Sequence, residues 1–206
     1  MKSWPRPLSI GVLALSLVTP ISASDGSPAS NAGFEPLMNS LHRFHGDKAT
    51  WSFESGVLIG KASGEEKRSR RIFTVERFGN FVLRFKARAG SGSGAVLLRS
   101  AIHPIEVLAG YKINLGAENG GLSFLDFPNF AKMAEARGKG IPFNNEASLV
   151  KWEAASGPAA GEWVDYELAC LGDRLTVKRH GATVAHYRHL GGPPEGSIGF
   201  QLDGPG

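Results

Sequence analysis

The chain of 206 residues has one cysteine, Cys170, so no disulfide can close within it. Long apolar runs are also missing. The longest uncharged apolar stretch, Leu8 to Val18, is 11 residues, and a membrane-crossing helix needs about 20. Charge of one sign is scarce too: Lys and Arg exceed Asp and Glu by 23 to 19, a net +4. Lys2 and Arg6 carry two of those charges, and a remaining +2 is too weak to mark a nucleic-acid-binding surface.

The amino terminus instead has the layout of an export signal. Lys2 and Arg6 precede the apolar run, and Thr19-Pro20-Ile21-Ser22-Ala23 ends in small residues. Residues 1–23 are therefore expected to be a signal peptide, cut after Ala23 or Ser24 and directing the rest to the periplasm or the exterior. With no cysteine near that cut, a lipoprotein anchor is excluded. Residues 24–33, rich in Ser, Ala, Pro and Gly, read as a flexible tether. Residues 34–206 have the length of one domain.

That domain reads as short strands. Phe81, Leu83, Phe85 and Ala87 alternate with Arg84, Lys86 and Arg88, the pattern of a half-buried strand. Tyr111, Ile113 and Leu115 alternate with Lys112 and Asn114. Val164, Tyr166, Leu168 and Cys170 alternate with Asp165, Glu167 and Ala169, and Ile198, Phe200 and Leu202 with Gly199 and Gln201. Arg174 to His180 and Thr183 to His189 read as a hairpin turning at Gly181-Ala182. Repeated strands with turns between them predict an all-β sandwich of two antiparallel sheets. Residues 117–160 break the rhythm and read as one long irregular loop walling a cleft, with a short helix from Pro128 to about Gly138.

Six segments resemble, in order, the 3-keto-disaccharide hydrolase family: Trp51 to Leu58, Phe78-Gly79-Asn80-Phe81-Val82-Leu83, Ser93-Gly94-Ala95-Val96-Leu97-Leu98-Arg99, Gly110-Tyr111, Gly161-Glu162-Trp163, and Gly196 to Gln201. The resemblance spans about residue 34 to the end and implies the jelly roll of concanavalin-like lectins and glucanases. It also implies a concave sheet that binds sugar and a reaction on glycosides already oxidised to a ketone at the third carbon. Such a site needs a base, a donor for the enolate and an acid for the leaving group. The sequence departs from the family pattern where Lys112 stands for Glu, Asn114 for Gln and Asp203 for His. It also stops at Gly206, where relatives continue into a last strand.

Alternation places Arg99, Lys112, Asn114 and Gln201 on the non-core face of their strands, and these with Asp203 are the expected sugar contacts. His103 and Glu106 are the catalytic candidates. Arg99 also reads as a solvated strand face or a structural ion pair, Lys112 as a surface charge, and the stripe Lys67, Arg68, Arg70, Arg71 as a solvated turn or strand entry. His42 and His45 read as surface residues, and Cys170 as a small core residue. His186 and His189 point to opposite faces of one strand and are not a metal pair. Asp126 and Asn129 supply too few oxygens for calcium, so no cofactor is expected, although a divalent ion is compatible with the chemistry. The expected partner is carbohydrate, in one of two settings: a keto-glycoside hydrolase or lyase, or a non-catalytic binding module or lectin.

Overall fold

Period-two sequence alternation becomes two antiparallel sheets in the computed structural model, which describes residues 8–13, 36–37, 40–62, 69–89, 94–103, 106–115, 121–126, 146–151, 161–188 and 191–203. Each sheet has seven strands. The first runs, edge to edge, β13 (Ala182–Arg188), β12 (Arg174–Arg179), β11 (Val164–Leu171), β6 (Phe81–Ala89), β1 (Leu8–Leu13), β4 (Val57–Ala62) and β3 (Trp51–Glu54). The second runs β10 (Glu146–Lys151), β9 (Gly121–Asp126), β8 (Glu106–Asn114), β7 (Gly94–His103), β14 (Gly196–Leu202), β5 (Arg70–Phe78) and β2 (Phe44–Gly46). The fold is an all-β jelly-roll sandwich.

The core lies between the inner faces of the sheets. From the first come Leu83, Phe85, Tyr166, Leu168, Cys170 and Val177; from the second come Ile72, Val96, Leu98, Tyr111, Ile113, Leu122 and Phe200. The strand alternation at β6, β8 and β11 is the expected one. Phe85 and Tyr166, cross-strand partners, stack with ring centroids 5.2 Å apart. Burial in this core pushes the Tyr166 hydroxyl and the Cys170 thiol each up to about 12, so Cys170 stays a protonated packing residue at neutral pH.

Two segments differ from the sequence expectation. The β12–β13 hairpin turns at His180-Gly181, one residue earlier than expected. Both residues have positive φ, 48° and 80°, the geometry that matches the twist of the flanking strands. Residues 117–160 are not one loop throughout, because Gly121–Asp126 and Glu146–Lys151 pair with each other and extend the second sheet beyond β8. The helix expected over 128–138 falls outside the described residues. Within the stretch expected to be a leader, Leu8–Leu13 lies as a strand between β4 and β6.

Close approach around β14 depends on glycine. A Cβ on Gly196 would collide with the Arg99 carbonyl group and sit 2.6 Å from the Ser100 carbonyl oxygen, both backbone atoms that cannot rotate away. Gly191 has open space around it. Gly196→Ala is predicted to lower stability by about 1–3 kcal/mol through overpacking, while Gly191→Ala stays within about 0.5 kcal/mol of the parent. Urea denaturation of the two variants side by side checks this, and equal losses would remove the glycine argument.

Candidate functional site

Cross-strand partners project from the same face of a sheet. On the face of the second sheet opposite the core, one row runs His45, Phe73, Gly199, Leu97, Lys112 and Ser123 across β2, β5, β14, β7, β8 and β9. The next row runs Arg71, Gln201, Ala95, Asn114 and Gly121. Register thus brings Lys112, Asn114 and Gln201 onto one surface. Asn114 and Gln201 flank β7, a separation of roughly 10 Å between their strands, and Lys112 is about 7 Å along β8 from Asn114.

The polar groups of the second row are tied together. The Arg71 guanidinium donates through Nε to Gln201 Oε1 at 2.6 Å, Gln201 Nε2 donates to Asp203 Oδ1 at 2.5 Å, and Ser69 Oγ donates to the same oxygen at 3.0 Å. Gln201 is only 3% exposed, so this chain fixes its orientation. Arg71 was expected in a solvated stripe, but it and Arg70, which bonds Asp47 at 2.6 Å, are half-buried and paired. The parity of Arg71 with Phe73 on β5 was the available signal.

The surface is less open than expected. Phe73, Leu97 and Val107 are buried and form a second apolar cluster with Ile102 on this side of the sheet. The uninterrupted apolar run Ala95–Leu98 announces such a strand, buried on both faces. Lys112, Asn114, Arg71 and Asp203 are half-buried around this apolar floor. His45, expected at the surface, is also half-buried, its ring 6.0 Å from that of Phe73.

Arg99 does not join this face. The β7 ladder shifts register between Leu98 and Ala101, and Arg99 sits there at φ 47°, a left-handed conformation that re-aims the side chain. Its guanidinium, in a residue 2% exposed, donates through Nε to the Gly79 carbonyl at 2.8 Å and through Nη1 to the Gly172 carbonyl at 2.8 Å. Its Nη2 donates to Asn80 Oδ1 at 3.3 Å, and that oxygen also accepts the Gly172 N–H at 2.7 Å. Arg99 therefore ties β7 of the second sheet to the β5–β6 turn at Gly79-Asn80, which crosses between the sheets, and to the β11–β12 turn of the first sheet at Gly172. Strict alternation missed this because a bulge breaks parity.

The catalytic candidates His103 and Glu106 are backbone partners at the turn end of the β7–β8 hairpin. Six residues of β8 separate Glu106 from Lys112, a rise of roughly 20 Å. The structure does not bring them to the Lys112–Asn114–Gln201 surface, because antiparallel pairing puts a hairpin's turn at the far end from its open mouth. Asp126 pairs through its backbone with Ala109; Asn129 and His189 lie outside the described residues. His186 bonds Thr176 Oγ1 at 3.0 Å. Among the described residues no group of three or more His, Cys, Asp or Glu gathers to hold a metal ion.

The outer face of the first sheet carries a separate depression of about 350 Å³, lined by Arg84, Lys86, Asp165, Glu167 and Lys178 among others. Its charges pair with one another: Glu167 meets Arg84 and Lys178 at 2.8 Å each, and Lys86 meets Asp165 at 3.2 Å. Desolvation pushes the Glu167 carboxyl up, but the hydrogen bonds and charges of Lys178 and Arg84 together outweigh it and hold it below the ordinary glutamate value.

Two outcomes follow. Arg99→Ala strips donors from two turn carbonyls and is predicted to cost about 3 kcal/mol in urea denaturation; a loss below about 0.5 kcal/mol would mean the latch is not structural. Because the folded-state Glu167 pKa is depressed, its contribution is fully present above the unfolded value and disappears as pH falls through the folded one. Glu167→Gln should therefore flatten the acid limb of the stability profile below about pH 4.5, read from thermal midpoints in a pH series.

Comparison with known proteins agrees with this architecture. The carbohydrate binding module CBM66 from Bacillus subtilis superposes with a TM-score of 0.57 at 15% identity, covering 78% of this chain and 88% of that one. A putative glycosyl hydrolase from Parabacteroides distasonis gives 0.55 at 15% identity, covering 80% and 84%. An endo-β-galactosidase from Clostridium perfringens that releases GlcNAcα1-4Gal gives 0.52 at 12%, covering 86% of this chain and 58% of its own length. At such identities these likenesses speak for the fold. No curated protein sequence matches the chain. The profile of the 3-keto-alpha-glucoside-1,2-lyase-like domain matches residues 33–206, and the chain belongs to that family.

Proposed function

We propose that this domain binds carbohydrate on the outer face of the second sheet, through Lys112, Asn114 and Gln201, and that its ligand is a 3-keto-glycoside. The observation that carries the reading is the pair of cross-strand rows, which set a cation and two amides around an apolar floor. Sugar hydroxyls need fixed donors and acceptors, and sugar C–H faces need apolar surface. Gln201, clamped by Arg71 and Asp203, is oriented before any ligand arrives, which lowers the entropy cost of binding. Family membership and the likeness to a carbohydrate binding module and a putative glycosyl hydrolase support carbohydrate as the ligand class.

A second reading adds catalysis to binding, and the presence of Lys112 on the face favours it. In a glycoside with a ketone at the third carbon, the proton on the second carbon is acidic. A base removes it, the electrons form a double bond between the first and second carbons, and the glycosidic oxygen leaves with a proton. An ammonium beside the ketone oxygen stabilises the enolate. Against this stands the position of Asp203, the carboxylate beside Gln201 that would have to serve as base on this face, four residues of rise and two strands from the Lys112 row, on the order of 15 Å away. Base and donor at that separation do not serve adjacent carbons of one ring.

Calorimetry with a 3-keto-glucoside measures binding, and a single incubation measures both released alcohol and the conjugated enone that elimination leaves. Lys112→Ala and Gln201→Ala are each predicted to weaken binding roughly 10-fold or more, with Glu167→Gln unchanged. Unaltered affinity in both face variants would sink the proposed site. Binding without release assigns a binding module; enone formation that Lys112→Ala abolishes assigns the lyase.

A further inference from the structure

The first sheet is continuous only because of six residues near the amino terminus. β1 pairs with β4 from Leu8↔Ala62 to Leu13↔Val57, and with β6 from Ile10↔Ala89 to Leu13↔Lys86. β4 and β6 are not otherwise neighbours. Without β1, the sheet divides into four strands, β13-β12-β11-β6, and a two-stranded β4-β3 hairpin. Both would present an unpaired row of backbone donors and acceptors, and a two-stranded hairpin is marginal by itself.

The register also fits the sequence. Val12 is level with Leu58 and Ala87, both core residues, and Ile10 is level with Gly60, which is buried against Trp51 and Leu202. Ser9 and Gly11 alternate with these, level with Lys61 and Ile59. Leu8-Ser9-Ile10-Gly11-Val12 thus has the period-two pattern of a strand buried on one face, although the same residues carry the composition of an export leader.

We propose that the gap between β4 and β6 is a strand-acceptor groove, and that Leu8–Leu13 is its occupant whether or not it remains covalently joined to the domain. The groove selects an extended segment with apolar residues at alternate positions, the mode of recognition in which an added strand supplies the backbone hydrogen bonds. The folded chain then hides its own leader inside a sheet. Export by a route that threads unfolded chain must act before β1 docks, and a cut made after docking leaves the strand in place.

Two measurements on the full chain test this. Gly11 is level with both Ile59 and Arg88, and proline there removes a donor from the ladder. Gly11→Pro is predicted to lower the thermal midpoint by roughly 5–10 °C and to speed hydrogen exchange at β4 and β6 amides; an unchanged midpoint and unchanged exchange overturn the proposal. In the second, a specific protease site is placed between Ala23 and Ser24 and cut after folding. Co-elution of the amino-terminal fragment in gel filtration, with displacement by excess synthetic peptide of residues 2–20 and none by a scrambled one, supports the groove. Departure of the fragment with β4 and β6 still protected, or with dimerisation through the vacated edges, overturns it.

Discussion

Burial of β14 on both faces is the constraint on which the second sheet depends. All seven of its residues are buried, with β7 on one side and β5 on the other. Two glycines make this possible. At Gly196 the Arg99 backbone comes too close for any side chain, and at Gly199 the Phe73 ring lies where a Cβ would be. A shift of register by one residue would turn Phe200 outward and Gln201 into the core, an exchange of a buried ring for a buried amide that no partner there would satisfy. The register is therefore strongly specified, and the positions of Lys112, Asn114 and Gln201 follow from it.

Arg99 adds a second tie of a different kind. A buried guanidinium is tolerated because its donors find fixed acceptors: two turn carbonyls and an amide oxygen. Since those acceptors belong to the β5–β6 and β11–β12 turns, the arginine joins the two sheets at one end of the sandwich. The outer face of the first sheet is organised otherwise. There Glu167 lies between Arg84 and Lys178, and Lys86 meets Asp165, so the charges cancel locally. Such partly exposed pairs contribute little each.

Legibility in the sequence tracked regularity. Where parity was unbroken, at Leu83–Arg88, Tyr111–Asn114 and Val164–Cys170, inward and outward residues were readable one by one. Where a bulge shifts parity, as after Leu98, alternation put Arg99 on the wrong side. His103 and Glu106 were judged by residue type alone, and type carries no distance; only the hairpin pairing reveals that they sit at the remote end of β7 and β8. Residues 121–126 were passed over because glycines and asparagine around them read as loop, while their strand character comes from pairing with β8. Lys112, Asn114 and Gln201 were legible together because two-residue periodicity and antiparallel register point the same way.

The motifs that identify the family are, in this chain, largely the ones that build the fold. Trp51 is buried, Gly56 turns the β3–β4 hairpin at φ 81°, and Arg99 is the latch. Gly196 and Gly199 allow close packing, and Trp163 lies under the Arg88 guanidinium at 4.8 Å. The departures at Lys112 and Asp203 lie on the half-buried polar face, where they leave the sandwich undisturbed and alter the charge of the proposed site. A glutamate exchanged for lysine reverses the charge offered to a sugar, from an acceptor and base to a cationic donor. Family membership therefore carries the architecture with it, whereas the proposed ligand face combines a residue of the family pattern, Gln201, with three departures from it, Lys112, Asn114 and Asp203.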